Sequence, residues 1–283
     1  MIHEYYNTNQ MVSSLKDHLD FLDDVNECIE NSQFEELLQF TNFSLCKLMY
    51  YGLIMILENN NKTVIKHVIN NMSCINMINE SKWSLIHYLA RYLIDADLMN
   101  YFIEKHHFDL QFKTPNDIQP IHLVCRNKSL EMVNLLINEG VNLESEDYEK
   151  WRPIHFACQY DSMEIVMLLV GRGVNMESED YEKWRPIHFA CQYGSLEVVN
   201  LLVNNGVNLE SEMVWKWKPV HIVCRYRSLE YIIYMFSLDI DLTSKIHKYD
   251  DAVADFGIKE LLERNDKLTK ENIHEILNII DSK

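Results

Sequence analysis

Glycine and proline are scarce, at seven and five in 283 residues. Turn-rich β architectures draw heavily on both, so a mostly helical chain is expected. Positive charge is also short. Lys and Arg number 26 against 43 Asp and Glu, a formal net charge of −17. Nucleic acids and anionic membrane surfaces are bound by basic surfaces, so both partner classes are disfavoured. The acidity suits solubility or a basic protein partner. Long apolar runs are missing as well: LIMIL at 53–57 is far too short to span a bilayer. The opening MIHEYYNTNQ has neither a basic start nor an apolar run, so no signal peptide is expected. Seven Cys without CxxC spacing read as reduced thiols. An intracellular protein follows, cytoplasmic with the nucleus left open. Hydrophobic residues make up 47% of the chain, too many for a largely disordered one.

What the chain does contain is repetition. GVNLESEDYEKWRPIHFACQY at 140–160 recurs at 173–193, identical at 20 of 21 positions, with Leu143 answered by Met176. The interval of 33 extends outward through Pro120, Pro153, Pro186 and Pro219, and through His122, His155, His188 and His221. Cys125, Cys158, Cys191 and Cys224 keep it, as do Gly140, Gly173 and Gly206. Ser129, Ser162, Ser195 and Ser228 follow the same interval, each with a Glu two residues on.

Each unit can be read physically. Pro153 suits the first turn of a helix, where its missing N–H is not needed. PIHFACQY makes a helix of about two turns. Asp161, or Gly194 in the next copy, breaks it, and Ser162 is placed to cap a second helix with Glu164 near its positive end. Ile165, Val166, Leu168, Leu169 and Val170 give that helix an apolar face. Gly173 ends it in the left-handed conformation. Neither helix can bury its face alone, whereas stacked units bury it continuously.

A 33-residue unit of turn, PIHFAC, break, SLEVVNLLV and GVN resembles the ankyrin repeat. RPIHFA at 152–157 and 185–190, QPIHLV at 119–124, KPVHIV at 218–223 and SLIHYLA at 84–90 stand where that family has T-P-L-H-x-A. The doubled wording is similar to the large ankyrin families expanded in some parasitic protists. The resemblance implies an all-α solenoid of stacked helix-turn-helix units over 82–247. Residues 49–81 read as a degenerate unit, 1–48 as an N-terminal helical segment and 248–283 as a C-terminal helical cap. Leu15, Leu19, Leu22 and Ile29 share one face of the N-terminal segment, and Ser32–Glu35 resembles a capping box. At the other end, helices are expected near 251–264 and 269–281, with Thr269 as an N-cap and a stripe of Ile273, Ile276, Leu277 and Ile280.

The chain departs from the family pattern in three places. The turn glycine is Lys150 or Lys183. The motif Thr is Arg152, Arg185, Gln119 or Lys218, and only Ser84 keeps a hydroxyl, so the family's Thr–His bond is mostly lost. The glycine between helices survives only as Gly194, with Lys128, Asp161 and Arg227 elsewhere. If all four are left-handed, replacing Arg227 with Gly should stabilise the chain.

The residues most suggestive of chemistry are four HxxC pairs: His122/Cys125, His155/Cys158, His188/Cys191 and His221/Cys224. One pair supplies two metal ligands, and stacked helices about 8–10 Å apart keep neighbouring pairs from sharing an ion. No metal or cofactor is expected. A hydrolase-type enzyme built on a Cys/His pair ranks third among the functional readings, because a catalytic site seldom needs four copies and no GxSxG, P-loop or HExxH is present. Glu144, Glu146, Asp147, Glu149 and their repeats are expected to be solvated.

The leading reading is a non-catalytic protein–protein interaction module (adaptor, scaffold or inhibitor), and a structural or self-associating element is second. The resemblance places partners on the concave side, at the hairpin tips and the outward face of the first helices. Trp83, Ile118, Trp151, Trp184 and Trp217 occupy one exposed register there, and Trp is a frequent interface anchor. The same tryptophans could equally rigidify the array by stacking on neighbouring arginines. Arg126, Tyr160, Tyr193, Arg225 and Tyr226 vary at the first-helix ends and complete the candidate surface, which would suit a protein with a basic segment.

Overall fold

A computed structural model describes residues 27–28, 31, 33–39, 50–72, 83–93, 95–242, 246–247 and 255–282. The chain divides into two compact units, Met1–Pro115 and Asn116–Lys283. The expectations for Leu15, Leu19, Leu22, Ile29 and Ser32 lie outside the described residues.

In the first unit the two apolar runs of 49–81 form α1 (Tyr50–Glu58) and α2 (Lys62–Asn70). Asn61 caps α2, its side-chain oxygen accepting from the Thr63 and Val64 amides. A 3₁₀ turn at Phe34–Gln39 packs on α2. Next come α3 (Leu85–Tyr92) and α4 (Ala96–His106). Asp95 caps α4 through the Leu98 amide at 2.7 Å and pairs with Lys62.

The second unit repeats a helix pair. Its first helices are α5 (Pro120–Arg126), α7 (Pro153–Gln159), α9 (Pro186–Tyr193) and α11 (Pro219–Tyr226), each with its Pro in the first turn. Its second helices are α6 (Leu130–Asn138), α8 (Met163–Gly171), α10 (Leu196–Asn204) and α12 (Leu229–Ser237). Each first helix packs on the next. The inward positions Ile121, Ile154 and Ile187, with Cys125, Cys158, Cys191 and Cys224, are almost fully buried. Ile165, Val166 and Leu169 are wholly buried on α8, and each contributes about 2 kcal/mol. Gly140, Gly173 and Gly206 close the second helices with φ of 77°, 76° and 80°. Of the expected serine caps, Ser195 accepts from the Val198 amide, whereas Ser129, Ser162 and Ser228 sit at the N-cap without that bond.

The C-terminal residues copy this arrangement with an unrelated sequence. Here α13 (Ile258–Glu263) packs on α11 as another first helix would, and α14 (Lys270–Ser282) packs on α12 and α13. Leu261, Leu262 and Ile276 are buried there, and buried Asn265 donates to the Cys224 and Arg227 carbonyls, both at 2.8 Å. Thr269 accepts from the Asn272 amide at 3.2 Å, as an N-cap does. A two-residue antiparallel pair precedes α13, with β1 (Ile246–His247) against β2 (Asp255–Phe256), so the expected helix near 251 begins only at Ile258.

The junction between paired helices takes two forms. Lys128 and Asp161 are left-handed, with φ of 60° and 55°. Gly194 and Arg227 are extended instead, with φ of −77° and −111°, and the helices before them run eight residues rather than seven. The expectation that Arg227 is strained is therefore wrong. Its guanidinium donates to the Gln192 and Gly194 carbonyls at 3.2 and 2.6 Å and lies 3.9 Å over the Tyr231 ring. Gly194 is required for room, since a Cβ there would sit 2.9 Å from the Ala190 carbonyl oxygen. Left-handed strain falls instead on Lys150 and Lys183, at φ 65° and 62°.

Two stability outcomes follow. Lys183→Gly removes left-handed strain at an exposed position and should add about 1 kcal/mol. In a thermal melt this appears as a rise of roughly 2–4 °C. Arg227→Gly should instead lose about 1–2 kcal/mol, because it strips two charged hydrogen bonds from carbonyls of the preceding unit. A melting temperature raised by the second substitution would show the extended junction to be wrong.

Candidate functional site

The motif histidines come first, because they are the candidate metal ligands and bases. His122, His155, His188 and His221 are completely buried. Each Nδ1 accepts the backbone amide three residues earlier, from Gln119, Arg152, Arg185 and Lys218, at 2.9 to 3.0 Å. On the other side, Nε2 of His122, His155 and His188 reaches the carbonyls of Ser145, Ser178 and Ser211 at 3.0, 3.1 and 3.2 Å. An amide can only donate and a carbonyl can only accept, so the proton sits on Nε2 and the ring is neutral. His87 does the same with Ser84 and Phe112, and the retained Ser84 hydroxyl stands 2.9 Å from its Nδ1. In His87, His122, His155 and His188 both nitrogens are thus engaged by backbone. The cysteines beside them are buried, which pushes their thiols up, Cys191 to about 12. Among the described residues no group of three or more His, Cys, Asp and Glu is placed to hold a metal ion.

The acidic loops are not simply solvated, contrary to expectation. Arg152 pairs with Glu144 at 2.5 Å and Glu146 at 2.7 Å, and the other oxygen of Glu144 accepts the Asn175 amide of the next repeat at 2.7 Å. Arg185, Glu177, Glu179 and Asn208 repeat this, and Lys218, Glu210 and Asp241 do so with an ammonium. So the residue standing for the motif Thr ties its own loop to the following unit. Asp147 is buried, with one oxygen accepting the Glu149 and Trp151 amides at 2.9 and 2.8 Å, and Asp180 holds Glu182 and Trp184 likewise. Each loop also bonds to its neighbour, Tyr148 amide to Asn116 carbonyl and Tyr181 amide to Glu149 carbonyl.

These two loops and the first helices behind them enclose a groove of about 550 Å³. Trp151 and Trp184 form its walls, and buried Phe189 lies between them at centroid distances of 4.6 and 5.0 Å. The Trp151 indole N–H donates to the second oxygen of Asp180 at 3.0 Å, which spans two repeats. Around the rim stand Tyr148, Tyr181 and Tyr193, exposed by 51%, 67% and 48%. Glu149, Gln159 and Glu182 complete the lining.

The other candidate residues fall elsewhere. Trp217 stacks on Tyr226 at 6.3 Å, with the Arg225 guanidinium 5.1 Å over that ring. Arg126 lies 5.4 Å over Tyr160. Ile118 is half-buried, and in the first unit Trp83 packs against His87 and Tyr88. None of the four arginine–aromatic contacts among the described residues pairs a Trp with the Arg that follows it, since Arg152 and Arg185 are held by glutamates. Tyr148 and Tyr181 were missed in the sequence, and Glu149 and Glu182 were read there as solvated loop residues. They share the 33-residue period, but the acidic run around them reads as a solvated loop.

Burial sets an acid response of mixed sign. His155 and His188 are pushed down to about 3 and 4 because burial penalises the cation. The unfolded chain takes up those protons first, so their stabilising contribution is whole above pH 6.5 and is lost as pH falls toward 4 and 3. Asp147 and Asp180 are pushed up to about 6, also by burial. Here the folded chain takes up the proton first, which adds stability as pH falls from above 6 toward 3.8. Asn at both positions keeps an accepting oxygen and removes this compensation. Urea midpoints of Asp147→Asn/Asp180→Asn should therefore fall more steeply than wild type between pH 6.5 and 4, and parallel curves would refute the assignment.

Comparison with known proteins agrees with this geometry. Among the curated proteins, none matches the chain. A family model described as ankyrin repeats (3 copies) matches residues 86–180 and 161–246, together more than half of the sequence. Its span holds the proline-led helices, the bridging histidines and the closing glycines, and the chain belongs to the ankyrin-repeat family.

Proposed function

We propose that this chain is a non-catalytic protein-binding module, an adaptor, scaffold or inhibitor, that engages its partner on the face made by the inter-unit loops and first helices. Ankyrin repeats generally mediate protein–protein interaction. The observation that carries the reading is the groove between Trp151 and Trp184, rimmed by exposed tyrosines and carboxylates. Its loops are held by Asp147, Asp180 and the arginine–glutamate forks, so a partner meets a surface already ordered and little conformational entropy is lost on binding. Tyrosine and tryptophan supply large contact area with few rotatable bonds. A Cys/His nucleophile is disfavoured, since both histidine nitrogens are bonded to backbone and the buried thiols are held far from ionisation. Among the described residues no helix is long and apolar enough to cross a membrane.

The reading can be tested with random peptides displayed on phage and selected against the full chain. Selected peptides should bind with micromolar Kd, and Tyr181→Ala/Tyr193→Ala should weaken them about tenfold or more while the melting temperature stays put. Trp151 is a poor choice for this test, because its loss also breaks the bond to Asp180. Peptides that bind the variant as well as wild type would move the binding surface elsewhere. A sedimentation mass that doubles with concentration, and falls back in the same variant, would favour self-association.

A further inference from the structure

We infer that the groove between Trp151 and Trp184 is a pocket for an arginine side chain presented by an extended segment of the partner protein. The inference rests on the binding-module reading and specifies its chemistry. The groove's lining combines aromatic ring faces with three carboxylates and no basic residue. Asp180 is consumed internally by two backbone amides and the Trp151 indole. Glu149 and Glu182 are different, although one oxygen of Glu149 accepts the Tyr148 hydroxyl at 2.7 Å. Both are exposed, and among the described residues neither enters an ion pair, whereas Glu144, Glu146, Glu177 and Glu179 are all taken by Arg152 and Arg185. The fold therefore leaves, beside aromatic walls, the two carboxylates that its own arginines do not neutralise.

Ring faces carry negative potential and attract cations. The protein already uses this at the rim, where the Lys150 ammonium sits 4.9 Å from the Tyr181 ring centroid. Three facts favour guanidinium over ammonium as the guest. It is flat and can lie against a Trp or Tyr face, it is weakly hydrated and leaves water readily, and it can offer paired N–H donors to a carboxylate. The volume of about 550 Å³ lies in the range of binding pockets and admits the side chain with part of its flanking backbone. Lys150 then acts as a resident competitor, placing a positive charge on a ring that the guest would share.

The test uses three capped tripeptides, acetyl-Gly-Arg-Gly-amide and its citrulline and lysine counterparts. Each is titrated into the ¹⁵N-labelled full chain while the tryptophan indole resonances are followed. With the arginine peptide, the Trp151 and Trp184 indoles should shift in a saturable way and those of Trp83 and Trp217 should stay. Citrulline keeps the shape and loses the charge, and should bind at least about tenfold more weakly; lysine should be weaker by about threefold or more. Glu149→Gln/Glu182→Gln, at exposed positions and checked for an intact fold by circular dichroism, should weaken arginine binding about fivefold or more. Lys150→Gly should tighten it. The inference is overturned by motionless Trp151 and Trp184 indoles, by equal binding of citrulline or lysine, or by indifference to the double glutamine variant. If phage-selected peptides bind the face without needing arginine, the binding-module reading stands and the arginine pocket alone is lost.

Discussion

Everything in the array depends on a neutral imidazole that bonds to backbone at both ends. In three successive repeats the histidine accepts the amide at the start of its own helix and donates to a carbonyl 23 residues ahead, as His155 does with Arg152 and Ser178. One ring thus fixes the helix start, and through the chain the following loop, to a common frame. It also satisfies an amide that would otherwise be orphaned at a buried helix end. A charged ring could not do this, because imidazolium has no acceptor to offer the amide. The burial that holds the ring neutral is therefore part of how the unit is built.

Around that fixed point the chain tolerates much variation. The junction between helices is left-handed at Lys128 and Asp161 and extended at Gly194 and Arg227, yet the second helices begin at equivalent places. Left-handed lysines cost about 1 kcal/mol each. Three buried aliphatic residues on a single second helix contribute several times that, so local strain is outweighed by stacking. Charge provides a second tie. The Glu144 carboxylate holds Arg152 with one oxygen and the next repeat's Asn175 amide with the other. Half-exposed pairs of this kind contribute modestly one at a time, but they recur at Arg152, Arg185 and Lys218 and place the loops accurately. At the far end the Asn265 amide donates to the Cys224 and Arg227 carbonyls where α11 ends, and α13 covers the face that a further repeat would have covered.

The same ties shape the proposed binding face. Trp151 stands in the groove and also donates to Asp180 of the next repeat, so its wall is positioned by the contact that joins the units. Whether tryptophan here is structural or available to a partner is not a choice between alternatives. The indole N–H and one ring edge serve the stack, and the remaining surface lines the groove. Tyr181 is freer: among the described residues it has no counterpart to the Asp180 bond, and it is two-thirds exposed. Rigid walls with adaptable rim residues suit recognition of an extended segment.

The sequence by itself determined the period, the proline-led first helices, the apolar second helices and the closing glycines. These depend on spacings of three, four or 33 residues, which a linear reading reports directly. Thr269 as a cap was legible for the same reason, because its partner Asn272 is three residues away. The acidic loops, the two junction geometries and the groove were decided only by tertiary structure. Whether Glu144 is solvated depends on an amide at Asn175, and whether Trp151 is free depends on a carboxylate at Asp180. Two copies of an identical loop carry no mark of which carboxylates an arginine will take and which will be left facing a pocket. The arginine's choice is made where each loop folds back on itself, as Arg152 does onto Glu144 and Glu146, while the pocket is made by stacking one repeat on the next, a property of the stacked backbones and of no single unit.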